Sequence, residues 1–220
     1  MVASDSIGIC RTRNGPAVLG RMVLLPGKEI TVFCAASTTH HTAGGLLGGL
    51  YGGISDRLMM GISFGGSNIL GTGRINWNPR PEVLCKFLLL SESIILPAVS
   101  FGFESQGYGP YDDDLDRYQV KSVGFYGVLS RSLALAGTLG LHAGVSYGIE
   151  NKDNNGKFNV FLGADKSINE YLMVMFEYDF ADNDDLSLPG LGRDRGYLNL
   201  GARVTFGGFG IEFDLRNLLD

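Results

Sequence analysis

Four aspartates fall within five positions of one segment and form the densest group of potential metal ligands in the chain: Asp112, Asp113, Asp114 and Asp116. Calcium prefers carboxylate oxygens, but an EF-hand loop also needs a central glycine and a terminal glutamate, which this segment lacks. The adjacent pair His40–His41 would point to opposite faces of an extended chain, so the two rings would not share a metal ion. We therefore interpret the acidic segment as a solvated loop, keep its aspartates as weak metal candidates, and predict no metal site.

Two further pairs have the residue types of a catalytic site. His142 and Ser146 could act as base and nucleophile, but four residues of extended chain separate them by about 13 Å, whereas proton transfer needs about 2.6–3.2 Å. Glu177 and Asp179 lie about 7 Å apart on one face of a strand, a separation that the carboxylates of inverting glycosidases also have. Ion pairs with Arg203 or Arg216 on other strands explain these two acids better. The sequence therefore predicts no catalytic residue, no cofactor and no enzyme.

The elements that carry these residues have a period of two. Between Leu133 and Ile149, seven of the nine odd positions are large and apolar, and none of the eight even positions is. A helical segment would not separate the two sets in this way, so the segment is predicted to be a strand. The same alternation recurs at 95–103, 172–180, 198–206 and 209–215, and more weakly at 29–37, 45–54, 57–66, 82–90, 118–130 and 156–166. The fold class predicted is all-β, with eleven strands.

The connections between these strands alternate in length. Short turns are predicted near Ser55–Asp56, Ser91–Glu92, Ser130–Arg131, Asn169–Glu170 and Gly207–Gly208, and longer loops at 38–44, 67–80, 105–117, 151–155 and 183–195. Short turns at one end and long loops at the other are typical of an outer-membrane barrel. We therefore expect an antiparallel up-and-down transmembrane β-barrel of about 12 strands, 11 of them visible.

An odd number of strands conflicts with the even numbers of bacterial single-chain barrels. Either residues 16–25 supply a twelfth strand, or a return strand after Asp220 is missing, and we expect the second. The domain organisation predicted is an irregular N-terminal segment, 1–27, followed by a single barrel domain, 28–220, that lacks its last strand.

The two faces of the predicted strands differ in a way that suits a membrane. A water-facing strand surface normally carries charged residues and threonine, but the even positions of 133–149 are mostly small or polar and carry no charge. We predict that this face lines a polar lumen with charges of both signs: His142, Asp165, Glu177, Asp179, Arg203, Glu212, Asp214 and Arg216. We predict that the opposite face meets lipid through large apolar side chains: Leu139, Leu141, Val174, Phe176, Leu200 and Phe213.

Composition excludes several other classes of protein. Of 220 residues 45% are hydrophobic and 19% are charged, which is too apolar for a disordered chain. A net charge of −5 disfavours a nucleic-acid-binding surface. Three cysteines without a CxxC spacing suggest neither a disulfide framework nor a zinc site. No apolar run approaches the roughly 20 residues of a membrane-spanning helix.

Several motifs give the chain a family resemblance. They are Gly61–Gly66, Trp77–Pro81, Gly102–Gly109, Arg117–Lys121, Gly124–Tyr126, Phe161–Ser167, Phe176–Asp179 and Gly196–Asn199. With these motifs the chain resembles a family of poorly characterised bacterial outer-membrane β-barrel proteins, and Phe176–Asp179 gives a fainter similarity to barrels associated with exopolysaccharide export. The resemblance implies the outer membrane of a Gram-negative bacterium, a signal peptide and a last strand ending in an aromatic residue. This chain displays neither of the last two features.

Two functions for such a barrel remain open. The first is a passive pore or channel component, because the interior of about 12 strands is wider than the eight-stranded barrel that side chains fill. Its partners would be the lipid bilayer and small polar solutes, with no nucleic acid. The second is a non-conducting structural or assembly barrel whose lumen is closed by its own salt-bridged residues. A soluble ligand-binding β-barrel is a third interpretation, because period-two strands alone do not distinguish it.

Overall fold

The computed structural model describes residues 30–37, 44–70, 74–105, 108–121, 123–150, 152, 155–184, 196–206, 209–216 and 218. Every regular element in these ranges is a β-strand, which confirms the predicted all-β class. Over the same ranges, no helix is long and apolar enough to cross a membrane.

Fourteen strands make up this part of the chain. In chain order they are β1 Ile30–Ser37, β2 Gly44–Ser55, β3 Leu58–Leu70, β4 Asn76–Trp77, β5 Glu82–Leu90, β6 Ala98–Glu104, β7 Tyr108–Asp112, β8 Arg117–Val120, β9 Gly124–Ala134, β10 Thr138–Gly148, β11 Phe158–Ser167, β12 Leu172–Asp179, β13 Tyr197–Phe206 and β14 Phe209–Arg216.

Eleven of the strands form one curled sheet, which we call the ring: all except β4, β7 and β8. Each ring strand pairs with the next ring strand along the chain, always antiparallel, and β14 pairs with β1 in parallel. A ring of strands that alternate in direction must contain one parallel pair when their number is odd. The ring thus accommodates the eleven predicted strands by a parallel pairing that the sequence interpretation did not include. Residues 16–25 and those after 218 lie outside the described ranges.

The predicted strand 133–149 is confirmed only over β10, Thr138–Gly148, and the turn predicted at Ser130–Arg131 is wrong. Strand β9 continues to Ala134, and the turn lies at residues 135–137, where Ala136 and Gly137 have positive φ values of 43° and 102°. The apolar alternation runs through this turn without a break, because Leu133, Leu135 and Leu139 all occupy odd positions. Period alone therefore could not reveal the turn.

Three smaller boundaries also differ from the predictions. Residues 95–97 belong to the turn before β6, and the predicted strand 118–130 is divided between β8 and β9. The predicted loop 105–117 contains most of a separate hairpin of β7 and β8. Backbone pairing between these two short strands, rather than an apolar face, makes them strands.

The curled sheet encloses one of its faces, which we call the inner face. Burial alternates along the ring strands whose side chains are described, as in β10, where Gly140, His142, Gly144 and Ser146 are buried and the residues between them are exposed. The sequence predicts an inner face of small and polar residues, and this prediction is incomplete. A cluster of large apolar side chains also lies there: Leu47, Tyr51, Met59, Leu84, Tyr126, Val128 and Phe161.

Glycines on the inner face make room for these large side chains. A Cβ added to Gly61 would lie 1.9 Å from the Tyr51 ring, and one added to Gly144 would lie 2.1 Å from the Phe161 ring. A large residue on one strand is thus accommodated by a glycine on the next. This pairing explains how aromatic rings fit inside the ring.

Candidate functional site

The inner face collects the charged and polar residues of the ring and is the candidate functional site. The seven predicted lumen residues whose side chains are described are all at most 4% exposed: His142, Asp165, Glu177, Asp179, Arg203, Glu212 and Asp214. The side chain of the eighth, Arg216, lies outside the described set. On the opposite, outer face, Leu141, Val174, Phe176, Leu200 and Phe213 are 39–59% exposed, and Leu139 is partly exposed.

Acidic groups outnumber basic ones among the buried side chains. Among the side chains that the structure describes, nine buried ones are carboxylates: Glu82, Glu104, Glu150, Asp165, Glu177, Asp179, Asp184, Glu212 and Asp214. Four buried ones in the same set are permanently basic: Lys86, Arg117, Lys121 and Arg203. A buried charge is costly unless it is paired or hydrogen-bonded. The hydrogen bonds and ion pairs of these groups therefore determine whether each buried charge is compensated.

Arg203 and Glu212 form the most direct ion pair of the inner face. They are directly opposite each other in the β13–β14 ladder, and Arg203 Nε donates to Glu212 Oε2 at 2.7 Å. Arg203 Nη2 donates to the same oxygen. Two donors from one planar guanidinium fix the relative position of the two side chains. Arg203 thus pairs with Glu212, whereas the ion pairs predicted for it were with Glu177 or Asp179.

His142 lies between a hydroxyl and a carboxylate from the two neighbouring strands. Its Nδ1 is 2.9 Å from Ser130 Oγ on β9, and its Nε2 is 2.6 Å from Asp165 Oδ1 on β11. Ser146, the partner considered from the sequence, instead lies 3.5 Å from the amide nitrogen of Asn159. Serine, histidine and aspartate in this order have the residue types of a nucleophile, a base and an orienting acid.

The environment of Ser130, His142 and Asp165 does not favour acyl transfer. All three side chains are at most 4% exposed. An oxyanion needs free donors near the nucleophile, whereas Ser130 lies inside β9, where it pairs with both β6 and β10. We interpret Ser130, His142 and Asp165 as a polar bridge that ties three strands together.

Two asparagines make comparable bridges farther around the wall. Asn159 Nδ2 donates to Asp179 Oδ1 at 2.8 Å, and Asn199 Nδ2 donates to Glu177 Oε1 at 3.1 Å. Glu177 and Asp179 are thus each held by an amide from an adjacent strand. This arrangement gives both acids structural partners, and it does not resemble a pair of opposed catalytic carboxylates.

The long-loop end of the ring is covered by the β7–β8 hairpin. Arg117 on β8 is 1% exposed, and its Nη2 lies 2.6 Å from Asp184 Oδ1 in the segment after β12. Asp184 Oδ2 also accepts the backbone N–H of Lys121 at 3.2 Å and the hydroxyl of Tyr197 at 3.3 Å. One buried carboxylate therefore connects the hairpin to β13.

Two other acids hold the same hairpin over the ring. Tyr118 donates its hydroxyl to Glu82 Oε1 at 3.0 Å, and its backbone N–H donates to Glu150 Oε1 at 2.9 Å. Glu150 Oε2 accepts the backbone N–H of Val123 at 2.9 Å. Lys121 Nζ donates to the carbonyl oxygen of Asn155 at 2.9 Å. The cover is therefore made of specific polar contacts rather than loose loop packing.

Electrostatics stabilise the neutral form of the hairpin tyrosines. Burial, together with the nearby Glu82 carboxylate, raises the pKa of Tyr118 well above its ordinary value. A hydrogen bond to Asp116 raises the pKa of the Tyr111 hydroxyl to about 12. The same hydrogen bond and then Lys152, 2.9 Å away, lower the pKa of Asp116.

The acidic segment has partners of its own. Asp112 Oδ1 accepts the backbone N–H groups of Asp114 and Leu115, which is the geometry of a side-chain-capped turn. Asp113 and Asp114 are exposed. In the described part of the chain, no three histidine, cysteine, aspartate or glutamate side chains are grouped so that they could hold a metal ion. The His40–His41 pair lies outside that part.

Sequence reasoning missed Ser130, Arg117 and Tyr118. Ser130 was assigned to a turn, so its place opposite His142 in the ladder was hidden. Arg117 and Tyr118 follow the acidic segment and were read as part of a solvated loop and a following strand. The signal that could have identified them is the position of an arginine and a tyrosine directly after a group of aspartates. If such a loop folds inward, the arginine and the tyrosine need buried hydrogen-bonding partners.

The chain matches no protein-family model and no curated protein. Its function is therefore argued from geometry and chemistry.

Proposed function

We propose that the protein is a membrane-embedded β-barrel of a bacterial outer membrane, whose interior is closed by its own side chains and whose role is structural. The observation that carries this proposal is the inverted distribution of residues: charged groups are buried on the inner face, and large apolar groups are exposed on the outer face. Water-soluble β proteins distribute these groups in the opposite way.

The outer face supports a lipid environment. All ten ring strands with described side chains carry exposed large apolar residues, at 36–69% exposure. At the outward-pointing positions of these strands only Arg131 and Lys166 are charged. Soluble monomers rarely expose a contiguous apolar patch beyond a few hundred Å². A closed sheet with such a surface also meets the requirement that backbone groups in lipid are paired within the protein.

The inner face supports a closed rather than a conducting barrel. Glu82, Asn159, Glu177, Asp179 and Glu212 are all 0% exposed, which leaves no water-sized space beside them. The hairpin of β7 and β8 covers one end through Arg117 and Tyr118. Neighbouring protein atoms, rather than water, therefore surround these side chains.

A pore is the second candidate, and the charge imbalance favours it. Nine buried carboxylates against four permanently basic side chains, counted over the described residues, would attract cations into any opening. If the hairpin cover moves aside, the protein would conduct cations in preference to anions. This candidate shares the membrane location and differs in the state of the interior.

Reconstitution in lipid tests both candidates. We expect the refolded protein to float with phospholipid vesicles and to remain electrically silent in a planar bilayer. The Arg117→Ala variant removes the contact with Asp184, and the matched Lys152→Ala variant removes the exposed pair with Asp116. Discrete cation-selective current steps from the wild-type protein would refute the closed structural barrel and support the pore. A protein that stays monomeric in buffer and does not bind vesicles would refute both.

A further inference from the structure

We propose that two turns at the short-turn end of the barrel, residues 91–97 and 135–137, are built to lie in phospholipid and anchor this end of the barrel below the headgroups. The inference rests on the proposed membrane location and adds a specific anchor to it.

The turn between β5 and β6 displays three consecutive apolar side chains. Ile94 is 93% exposed, Ile95 is 86% exposed and Leu96 is 56% exposed. They adjoin the apolar outer face, since Leu89 and Leu90, at 48% and 53% exposure, end the preceding strand. Three such residues in a row at the tip of a turn have no role in the packing of the ring.

Arg131 caps the backbone of this turn. Its Nη1 donates to the carbonyl oxygens of Ser93 at 2.7 Å and Leu96 at 3.3 Å, and its Nη2 donates to that of Ile94 at 2.6 Å. In water these carbonyls would be hydrated without help. In lipid each unsatisfied polar group would cost several kcal/mol. Capping three carbonyls of an exposed turn therefore suits a turn that leaves water.

Other polar groups of the turn are also paired, apart from Glu92 Oε2, which is buried without a hydrogen-bond partner. Glu92 Oε1 accepts the backbone N–H of Ser132 at 2.9 Å and lies 3.6 Å from Arg131 Nε, which offsets the charge of the guanidinium. Ser93 exchanges two hydrogen bonds with the backbone of Leu96, at 2.9 and 3.0 Å. The apolar tip is thus held rigidly in place by polar contacts at its base.

A second turn repeats the arrangement. Lys166, the other charged residue of the outer face, donates to the carbonyl oxygens of Leu135 and Ala136 in the β9–β10 turn. Leu135 in this turn is 60% exposed. Both charged residues of the outer face therefore cap turn carbonyls beside exposed apolar side chains. The continuity of these tips with the apolar outer face favours phospholipid over a protein partner.

Fluorescence quenching by brominated phospholipids tests the anchor. Trp77 is the only tryptophan, so Trp77→Phe provides a background in which single tryptophans are placed by Ile95→Trp, Leu135→Trp, Phe176→Trp or Asp113→Trp. The probe is vesicles of phosphatidylcholine brominated near the carbonyl end of the acyl chains. We expect loss of emission for Ile95→Trp and Leu135→Trp, and none for Asp113→Trp in the hairpin.

The Phe176→Trp variant, which reports on the outer face, separates failure of the anchor from failure of the membrane location. If Phe176→Trp is quenched by chains brominated near their methyl ends while Ile95→Trp and Leu135→Trp behave like Asp113→Trp, the barrel is in lipid and the anchor is refuted. If no variant is quenched, the proposed membrane location also fails. Adding Arg131→Gln to Ile95→Trp should reduce the quenching, and unchanged quenching would refute the capping role of Arg131.

Discussion

Gly140 and Asp165 are opposite each other in the β10–β11 ladder, and the glycine provides the space that the carboxylate occupies. A Cβ on Gly140 would lie 2.3 Å from Asp165 Oδ1 and 2.8 Å from His142 Nε2. We expect Gly140→Ala to lower the free energy of unfolding by about 1–3 kcal/mol, because it overpacks the inner face at its polar bridge. Urea unfolding of the protein in vesicles measures the change.

Gly127 provides the matched control for this prediction. It lies on the outer face of β9, and a Cβ added there meets no heavy atom within 4 Å. Gly127→Ala should therefore stabilise the protein by about 0.4–1 kcal/mol, because it restricts the unfolded chain without a clash. Equal effects of the two substitutions would show that the space at Gly140 is not required.

Much of the wall was predictable, because burial in a sheet follows sequence parity. The seven lumen residues with described side chains all fall on the inner face, and so does the apolar cluster that includes Tyr51 and Phe161. The cluster was not predicted, because it depends on glycines such as Gly61 on a neighbouring strand. Nor was the contact between Ser130 and His142, which depends on ladder register. The hairpin was missed because its burial comes from contacts distant in sequence, such as Arg117 with Asp184.

Phe176→Arg tests whether the outer face meets lipid. Phe176 is 43% exposed in the middle of β12, between Ala164 and Leu200 on the neighbouring strands. In a bilayer an arginine at mid-depth should cost about 2–4 kcal/mol. In a water-soluble protein an exposed substitution should change stability by no more than about 0.5 kcal/mol. Unfolding in vesicles, with Asp113→Arg as the solvent-exposed control, distinguishes the two environments.

A double-mutant cycle tests the Arg203–Glu212 pair. Glu212→Leu leaves the buried guanidinium without its partner, so we expect a loss of about 3–5 kcal/mol. Arg203→Met combined with Glu212→Leu should be clearly less destabilised than Glu212→Leu alone, because neither charge is then buried unpaired. If the losses of stability caused by Arg203→Met and Glu212→Leu add up to the loss in the double variant, the two side chains are not coupled.

Alkaline titration tests the attachment of the hairpin. The folded protein raises the pKa of Tyr118, so the neutral tyrosine contributes its full stabilisation below the ordinary tyrosine pKa and loses it as the pH rises through the folded-state value. Absorbance at the tyrosinate band should show late ionisation of Tyr118, and of Tyr111 near its pKa of about 12. Tyr118→Phe should remove one late-titrating group. An unchanged number of such groups would contradict the assignment.

The parallel pairing of β1 with β14 has a consequence for where the two ends of the ring sequence emerge. Both strands run from the short-turn end to the long-loop end, so the chain enters the ring at Ile30 on one side and leaves it at Arg216 on the other. In a ring with an even number of antiparallel strands, entry and exit lie on the same side. If the barrel spans a membrane, fusions placed before Ile30 and after Arg216 would therefore report on different compartments.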